Sequence, residues 1–252
     1  MAHGNTLLIS GMDDTETSET PPVMTYETEG IVDFWSKVYE LEKEREFVKC
    51  IDKYIPKDRM DLLDIGCGLG LHTELWRERG KKVTASDFST QFRDYIVRTY
   101  TFPFIWMDVL NCTIREQYDI CFCMAIGTIL HDEERRFQTF ETLGRLVSAG
   151  GVLVLVTGSN QWPFYVVAHK EPLHSVNERD IEKLRSLGLE IATVFRWGTS
   201  PKFLWRAPVF KLFGRLVEAL SFHLGIGARK VVVCRRKACM ETGGNDLPTA
   251  PG

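Results

Sequence analysis

Residues 62–70, with the sequence LLDIGCGLG, decide the fold of this 252-residue chain. The first four residues predict a short strand, and three glycines at alternate positions predict a loop that turns sharply and lets a ligand approach the backbone. A dinucleotide-binding loop would need its third glycine where the chain has Leu71, and a phosphate-binding P-loop would need Gly-Lys followed by Ser or Thr. Asp64, two residues ahead of the first glycine, suits a ligand with a cationic ammonium group.

Strands alternate with helices on both sides of this loop. The predicted strands are 62–65, 82–86, 102–106, 118–125, 152–157, 190–197 and 229–235. Helices are predicted directly after the glycine loop, after the capping residues Ser89 and Asn177, and from about 132 to 146. This alternation predicts an α/β fold with a doubly wound, mainly parallel sheet, whose ligand lies beyond the carboxyl ends of the strands.

Acidic residues follow three successive predicted strands. Asp64 ends the first, and Asp87 ends the second, 21 residues after Gly66, where a carboxylate can accept hydrogen bonds from both hydroxyls of a ribose. Phe88 can cover one face of an adenine ring, and Asp108 can accept a hydrogen bond from its amino group. One such acid would be an ordinary turn residue, but three at the same edge indicate a nucleoside site.

With these residues the chain resembles the class I S-adenosylmethionine-dependent methyltransferases over about residues 32–237. The matching pieces are the glycine loop, Asp87, Asp108-Val109, Tyr118-Asp119-Ile120 and Gly150-Gly151. The resemblance implies a seven-stranded, Rossmann-like methyltransferase fold with an antiparallel last strand, and S-adenosyl-L-methionine as cofactor. The cofactor-binding residues that it implies are Asp64, Gly66, Cys67, Gly68, Gly70, Asp87, Phe88, Asp108, Val109, Met124 and Ala125.

Candidates for the chemistry lie after the fourth and fifth strands. A hydroxyl or ammonium acceptor must lose a proton, and His131 is the first candidate for the base, although it is equally suited to cap or line the next helix. His169 and His174 are alternatives. The predicted acceptor-binding residues are Trp35, Tyr39, Asn160, Trp162, Tyr165 and His169, with Gln161 beside them. A hydrophobic-core position for Trp35 and Tyr39, and a packed surface loop for the residues after the fifth strand, are the open alternatives. No metal site is expected, since Cys121 and Cys123 read as buried apolar side chains and His72 as a solvent-facing residue.

The predicted domain spans residues 26–238, with a tail on each side and one insertion within it. Residues 1–25 read as a disordered acidic tail and 239–252 as a flexible tail. Residues 198–228 read as an amphipathic helical insertion, and the favoured interpretation docks its apolar face on the sheet and leaves a basic face in solvent. The alternative is a peripheral contact with a membrane through 201–226, or a pocket for a lipid-linked or anionic acceptor.

Charge and composition bear on the class of acceptor and on the cellular compartment. The formal charge of −3 does not favour a general affinity for nucleic acid. A cytoplasmic protein fits the seven cysteines, which lack paired spacing, and the absence of a leader-like start. The stretch 146–169 has no charged residues, but its glycine, proline and polar residues interrupt it too often for a transmembrane helix. The predicted activity is methyl transfer to oxygen or nitrogen of a small or lipid-linked molecule. Methylation of RNA or protein, a non-catalytic cofactor-binding partner and an NAD-dependent dehydrogenase are the alternatives.

Overall fold

The computed structural model describes residues 40–124, 132–158, 175–198 and 208–238. Its strands are β1 (Asp61–Ile65), β2 (Lys82–Asp87), β3 (Phe104–Trp106), β4 (Tyr118–Met124), β5 (Val147–Gly158), β6 (Leu189–Trp197) and β7 (Arg229–Arg236). The described helices are α1 (Leu41–Asp52), α2 (Leu71–Glu78), α3 (Thr90–Thr99), α4 (Glu133–Leu146), α5 (Glu178–Ser186) and α6 (Pro208–His223). The alternation that the sequence predicts is therefore present.

All seven strands form one sheet in the order β3-β2-β1-β4-β5-β7-β6. Neighbours from β3 to β5 are parallel, whereas β7 is antiparallel to both β5 and β6. The predicted fold class is confirmed, including the antiparallel last strand. The order reverses between β1 and β4, so the loop after β1 opens into the crevice where ligands bind in doubly wound sheets.

Side chains that alternate along the strands build a core on each face of the sheet. Leu62 and Phe122 point to the face covered by α1, α2 and α3, together with the buried Trp76. Leu63 and Cys121 point to the opposite face, covered by α4 and α5. Both Cys121 and Cys123 are fully buried there, as predicted. This double burial explains why the central strands are apolar on both sides.

Local capping signals place several helix starts as predicted. The side chain of Ser89 accepts a hydrogen bond from the Phe92 N–H. Asn177 and Asp180 form a reciprocal capping box at the start of α5. The fifth strand begins at Val147, earlier than predicted, because Gly150 adopts a φ of 72° and the register with β4 shifts between Tyr118 and Ile120. A strand can thus continue across the Gly150-Gly151 pair.

Helix α6 is oriented opposite to the favoured prediction. Its polar side faces the body of the protein, where Lys211 pairs with Glu42, Arg215 pairs with Glu46, and the buried Glu218 pairs with Lys43. Most of its large apolar side chains between Phe210 and Leu220 face outward, whereas Phe222 packs against Phe195 of β6. The prediction of a solvated basic face is therefore wrong, because the acids of α1 provide partners that the pattern within α6 does not reveal.

The tails at 1–25 and 239–252 lie outside the described residues. The described helix ahead of β1 begins at Leu41, and both Trp35 and Tyr39 precede the described chain. Across the part of the chain that the structure describes, none of the helices combines the length and hydrophobicity needed to cross a bilayer.

Candidate functional site

The glycine loop leaves β1 at the carboxyl edge of the sheet and is fixed by backbone hydrogen bonds to β2. The N–H groups of Gly66 and Cys67 both donate to the Ser86 carbonyl oxygen, at 2.8 and 2.9 Å. Gly66, Gly68 and Gly70 all have positive φ angles, between 53° and 73°. Side chains rarely adopt this left-handed region, which explains the three alternate glycines.

Gly68 and Gly70 need to be glycines for different reasons. A Cβ at Gly70 would collide with the side chain of Ile96 and crowd Tyr100 and Phe102 at 3.2 Å. A Cβ at Gly68 would meet no atom within 4 Å. Gly70 therefore serves the packing of α2 against the domain, whereas Gly68 borders open space beside Asp87 that a ligand can occupy.

Asp87 joins the end of β2 to the glycine loop. Its Oδ2 accepts the Gly68 N–H at 3.0 Å, and its Oδ1 accepts the Ser89 N–H at 2.9 Å. The carboxylate is 5% exposed. Burial raises its pKa, and the backbone donors at Ser89, Gly68 and Phe88 oppose that rise. Each carboxylate oxygen has two lone pairs, so Asp87 retains acceptor capacity for further hydroxyl donors.

Asp64 is a buried carboxyl group at the end of β1. It is 1% exposed, and Thr73 in α2 donates a hydrogen bond to its Oδ2 at 2.5 Å. Burial raises its pKa to about 6, against the lowering effects of Thr73 and His72. Among the described residues no lysine or arginine forms an ion pair with Asp64. A cationic group entering from the cleft would stabilise its ionised form.

The residues after β2 and β3 form the flank of the cleft. Phe88 is 43% exposed, and its carbonyl oxygen accepts the indole N–H of Trp106 at 2.8 Å. The Asp108 carboxylate accepts hydrogen bonds from the Leu110 N–H and the Asn111 side chain, so both of its oxygens take part in the turn after β3. Val109 is buried. Asp108 therefore already has partners, and an adenine amino group would have to share them.

A second buried charge cluster lies beside the glycine loop. Glu44 of α1 is 2% exposed, accepts two hydrogen bonds from Arg229 at 2.6 and 2.8 Å, and lies 2.9 Å from His72 Nε2. Burial would raise the pKa of Glu44, but Arg229 and His72 outweigh it and hold that pKa below its usual range. The predicted solvent-facing position of His72 is wrong: it is 6% exposed, because Glu44 bonds to it and the rings of Phe47 and Phe122 pack against it.

The structure thus brings together part of the predicted site. The glycine loop and Asp87 contact each other directly, Asp64 lies at the base of the loop, and Phe88 and Asp108 follow at the same edge. Met124 ends β4 at this edge and is partly exposed. The remaining predicted residues fall outside the described chain: Trp35, Tyr39, Ala125, His131, Asn160, Gln161, Trp162, Tyr165, His169 and His174.

Sequence reasoning missed three residues that support this edge. Ser86 accepts two loop N–H groups, and its hydroxyl donates to the Asp64 carbonyl oxygen at 3.0 Å. Thr73 binds the Asp64 carboxyl group, and Arg229 neutralises Glu44. Thr73 follows the glycine motif by three residues and Ser86 directly precedes Asp87, so their positions carried a weak signal. Arg229 lies far along the chain and carried none.

Comparisons with known proteins agree with this architecture. Residues 62–151 match the sequence model of a family described as a methyltransferase domain. A malonyl-[acyl-carrier protein] O-methyltransferase of Serratia marcescens is 32% identical over 98 residues, which is 38% of this chain and 37% of that protein. The aligned region thus spans little more than a third of this curated relative.

Solved structures share the fold. An S-adenosylmethionine-dependent methyltransferase from Archaeoglobus fulgidus superposes with a TM-score of 0.61 at 14% identity, over 83% of this chain and 100% of that one. The N-methyltransferase NodS from Bradyrhizobium japonicum, solved with S-adenosyl-L-homocysteine, gives 0.54 at 14% identity over 77% and 87%. These likenesses establish the fold.

The fold and the loop together define a Rossmann-like methyltransferase domain. Residues 62–151 match the methyltransferase-domain family, and the fold is shared with S-adenosylmethionine-dependent methyltransferases, in agreement with the predicted resemblance. The Archaeoglobus protein is named as S-adenosylmethionine-dependent, and NodS was solved with the product of that cofactor, S-adenosyl-L-homocysteine. The described residues suit S-adenosylmethionine, which is a nucleoside with an ammonium group. Gly68 borders open space, the Asp87 carboxylate can accept further hydrogen bonds, and Asp64 has no lysine or arginine partner among the described residues.

Proposed function

We propose that this protein transfers the methyl group of S-adenosylmethionine to an oxygen or nitrogen atom of a small, carrier-linked or lipid-linked molecule. One observation carries the proposal: the N–H of Gly68 donates to Asp87 at 3.0 Å, beside space that a side chain at Gly68 would enter. In support of the proposal, Asp87 would offer an acceptor to ribose hydroxyls beside backbone that a ligand can approach closely. The acyl-carrier-linked acceptor named for the Serratia relative supports a carrier-linked substrate.

In this proposal the bound cofactor supplies an already activated methyl group, and the chain supplies position. Asp64 and the glycine loop hold the amino-acid end, Asp87 holds the ribose, and Phe88, Asp108 and Val109 flank the adenine. Aligning an acceptor with the methyl group can contribute roughly 7–11 kcal/mol. His131 is the proposed base, and His131→Gln should lower turnover by about 10²–10⁴-fold while leaving cofactor affinity intact.

A matched pair of glycine variants tests the cofactor site. Gly68 and Gly80 both have positive φ, and a Cβ at either would meet nothing within 4 Å. Both alanine variants should therefore lose about 1–2 kcal/mol of stability through backbone strain alone. Only Gly68→Ala should weaken S-adenosylhomocysteine binding in calorimetry. Equal affinity of the two variants would contradict the proposed site.

Asp87→Ala tests the ribose contact. Losing hydrogen bonds to a charged group should weaken S-adenosylmethionine binding by roughly 10–100-fold. Asp94→Ala, an exposed acid in α3, is the control. Titration with NAD should give no signal, and NAD binding without S-adenosylhomocysteine binding would identify a dehydrogenase instead.

Transfer of a labelled methyl group identifies the acceptor class. Acyl-carrier-bound acids, hydroxyl and amine metabolites, lipid-linked molecules, RNA and protein are tested in parallel. Transfer only to RNA or protein would overturn the proposed acceptor. Cofactor binding without transfer to any class would favour the non-catalytic alternative.

A further inference from the structure

Two exposed aromatic residues at the flank of the cleft are joined by a hydrogen bond. Trp106, the last residue of β3, is 58% exposed, and Phe88, the residue after β2, is 43% exposed. Outside α6, these two are the exposed phenylalanine and tryptophan side chains of the described chain. The indole N–H of Trp106 donates to the Phe88 carbonyl oxygen at 2.8 Å. Because so much of the Trp106 side chain stays in solvent, burial explains its position poorly, and the bond to Phe88 is the specific contact to explain.

The strand pairing brings Trp106 beside the turn that follows β2. β3 is an edge strand, and it pairs with β2 through three residue pairs, the last of which is Asp87 with Trp106. Just beyond that pair, the Met107 N–H donates to the Asp87 carbonyl oxygen at 3.0 Å. The Trp106 side chain continues this attachment to the next carbonyl, that of Phe88. Two successive carbonyls of the turn are thus bonded to β3.

Both backbone polar groups of Phe88 are held, whereas its side chain stays partly open. The Phe88 N–H donates to the Asp87 carboxylate, as do the N–H groups of Gly68 and Ser89. The Phe88 carbonyl oxygen accepts the Trp106 indole. The backbone of Phe88 therefore depends on Asp87 at one end and on Trp106 at the other. Since a rotation of this backbone would also swing the Cα–Cβ bond, the two contacts together set the direction of the exposed ring.

Fastening the edge strand is the alternative role of the Trp106 bond. The three ladder pairs and the Met107 bond already join β3 to β2 without the indole. The indole instead reaches past the end of the ladder, to the one residue that is placed against the adenine in the proposed function. Its target therefore favours a role in the cofactor site over a role in strand pairing.

We propose that Trp106 is a positioning residue for the adenine end of the cofactor: its indole N–H fixes the backbone of Phe88, and Phe88 presents its ring to the base. The proposal rests on the proposed function, because it takes the adenine to lie against Phe88. Stacking requires the ring to face the plane of the base, and a ring that is already oriented loses less freedom when the base arrives.

Trp106→Phe removes the hydrogen-bond donor and keeps an aromatic side chain. In calorimetry the affinity for S-adenosylhomocysteine should fall by about 3–10-fold, which corresponds to the loss of one hydrogen bond. Trp197→Phe is the matched control, because the buried indole N–H of Trp197 has no hydrogen-bond partner in the described chain and lies in β6, at the other end of the sheet. It should leave the affinity unchanged. Urea denaturation of both variants separates a loss of stability from a loss of affinity.

A double-mutant cycle with Phe88→Ala separates positioning from fastening. Phe88→Ala should by itself weaken binding by about 10–100-fold through lost stacking on the base. The backbone carbonyl that Trp106 bonds is still present in this variant, so a purely structural role of Trp106 would persist there. If Trp106 acts through the Phe88 ring, adding Trp106→Phe to Phe88→Ala should cost less than about twofold in affinity.

A second variant isolates the N–H group. The benzothiophene analogue of tryptophan, incorporated at position 106, keeps the bicyclic shape and lacks the donor. It should reproduce the affinity loss of Trp106→Phe. It therefore reports on the hydrogen bond even if the smaller phenylalanine ring disturbs the turn.

Four results would overturn the proposal and leave the proposed function intact. They are unchanged S-adenosylhomocysteine affinity in Trp106→Phe, full affinity of the benzothiophene variant, an equal loss in Trp197→Phe, and an equal loss from Trp106→Phe with and without Phe88→Ala. Failure of the unaltered protein to bind S-adenosylhomocysteine would instead remove the proposed function, and the role of Trp106 with it.

Discussion

Asp64 and Glu44 are two buried carboxyl groups served by successive residues of α2, yet they are held in opposite ways. Thr73 donates to Asp64, and His72 bonds with Glu44. Burial raises the pKa of Asp64 to about 6, whereas Arg229 and His72 overcome burial and lower the pKa of Glu44.

The difference is the presence of a cation within the fold. Glu44 has Arg229, and it needs nothing from outside. Asp64 has the hydroxyl and the backbone N–H of Thr73 and the nearby His72, but no lysine or arginine partner among the described residues, and its ionised form gains most from a cation that arrives with a ligand. Two acids of similar burial thus separate into a structural group and a group suited to binding. The pKa direction distinguishes them.

The largest expected effect comes from removing the cation of Glu44. Arg229→Leu leaves a buried carboxylate without its charged partner and should lower the free energy of unfolding by about 3–5 kcal/mol. Urea denaturation measures this. Arg45→Leu, at an exposed ion pair on α1, should change it by less than about 1 kcal/mol. A similar loss in both variants would refute the structural role of the Glu44 cluster.

Replacing the carboxylate with an amide should have opposite effects on stability at the two acids. Asp64→Asn removes an unfavourable buried charge and should raise stability at pH 7 by up to about 2 kcal/mol, whereas Glu44→Gln should lower it. Because the pKa of Asp64 is about 6 in the folded state and lower in the unfolded state, folding favours its protonated form. The advantage of Asp64→Asn should therefore fade as the pH falls from 7 to 4. Thermal unfolding across that range is the measurement, and destabilisation by both substitutions would remove the contrast.

Thr73→Val isolates the single hydroxyl that supports the ionised form of Asp64. Its loss should cost about 1 kcal/mol more at pH 8, where Asp64 is ionised, than at pH 4, where it is protonated. Thr139→Val is the control, since that hydroxyl donates to a backbone carbonyl, and its cost should not change with pH. Equal pH profiles would mean that Thr73 does not act through Asp64.

The smallest expected effect is the release of a proton from Asp64 when the ligand binds. If a cationic ligand binds beside Asp64, binding at pH 6 should release up to about half a proton, since the carboxyl group is near its pKa there. Calorimetry with S-adenosylmethionine in buffers of different ionisation enthalpy detects this release. It should vanish in Asp64→Asn and persist in Glu44→Gln, and its persistence in Asp64→Asn would assign the proton to another group.

The sheet was predictable because its signals are local. Alternate glycines after an apolar run, the Asn177 capping box and the acid at Asp87 each act within a few residues. The burial of His72 was not predictable, since it depends on Glu44, Phe47 and Phe122, which are distant in sequence.

Helix α6 shows a different limit. Its periodicity predicted which side chains share a face, but not which face is buried, because that depends on the acids Glu42 and Glu46 of α1. The proposed base and acceptor residues after β4 and β5 stay predictions. They lie outside the described chain.

The bonds from Gly66, Cys67 and Gly68 to β2 have a kinetic consequence. The loop loses its conformational freedom during folding and not when a nucleoside arrives. The loop is therefore already in its binding conformation when the ligand arrives. The association rate should be set by diffusion and by any segment that covers the cleft, and not by a rearrangement of the loop.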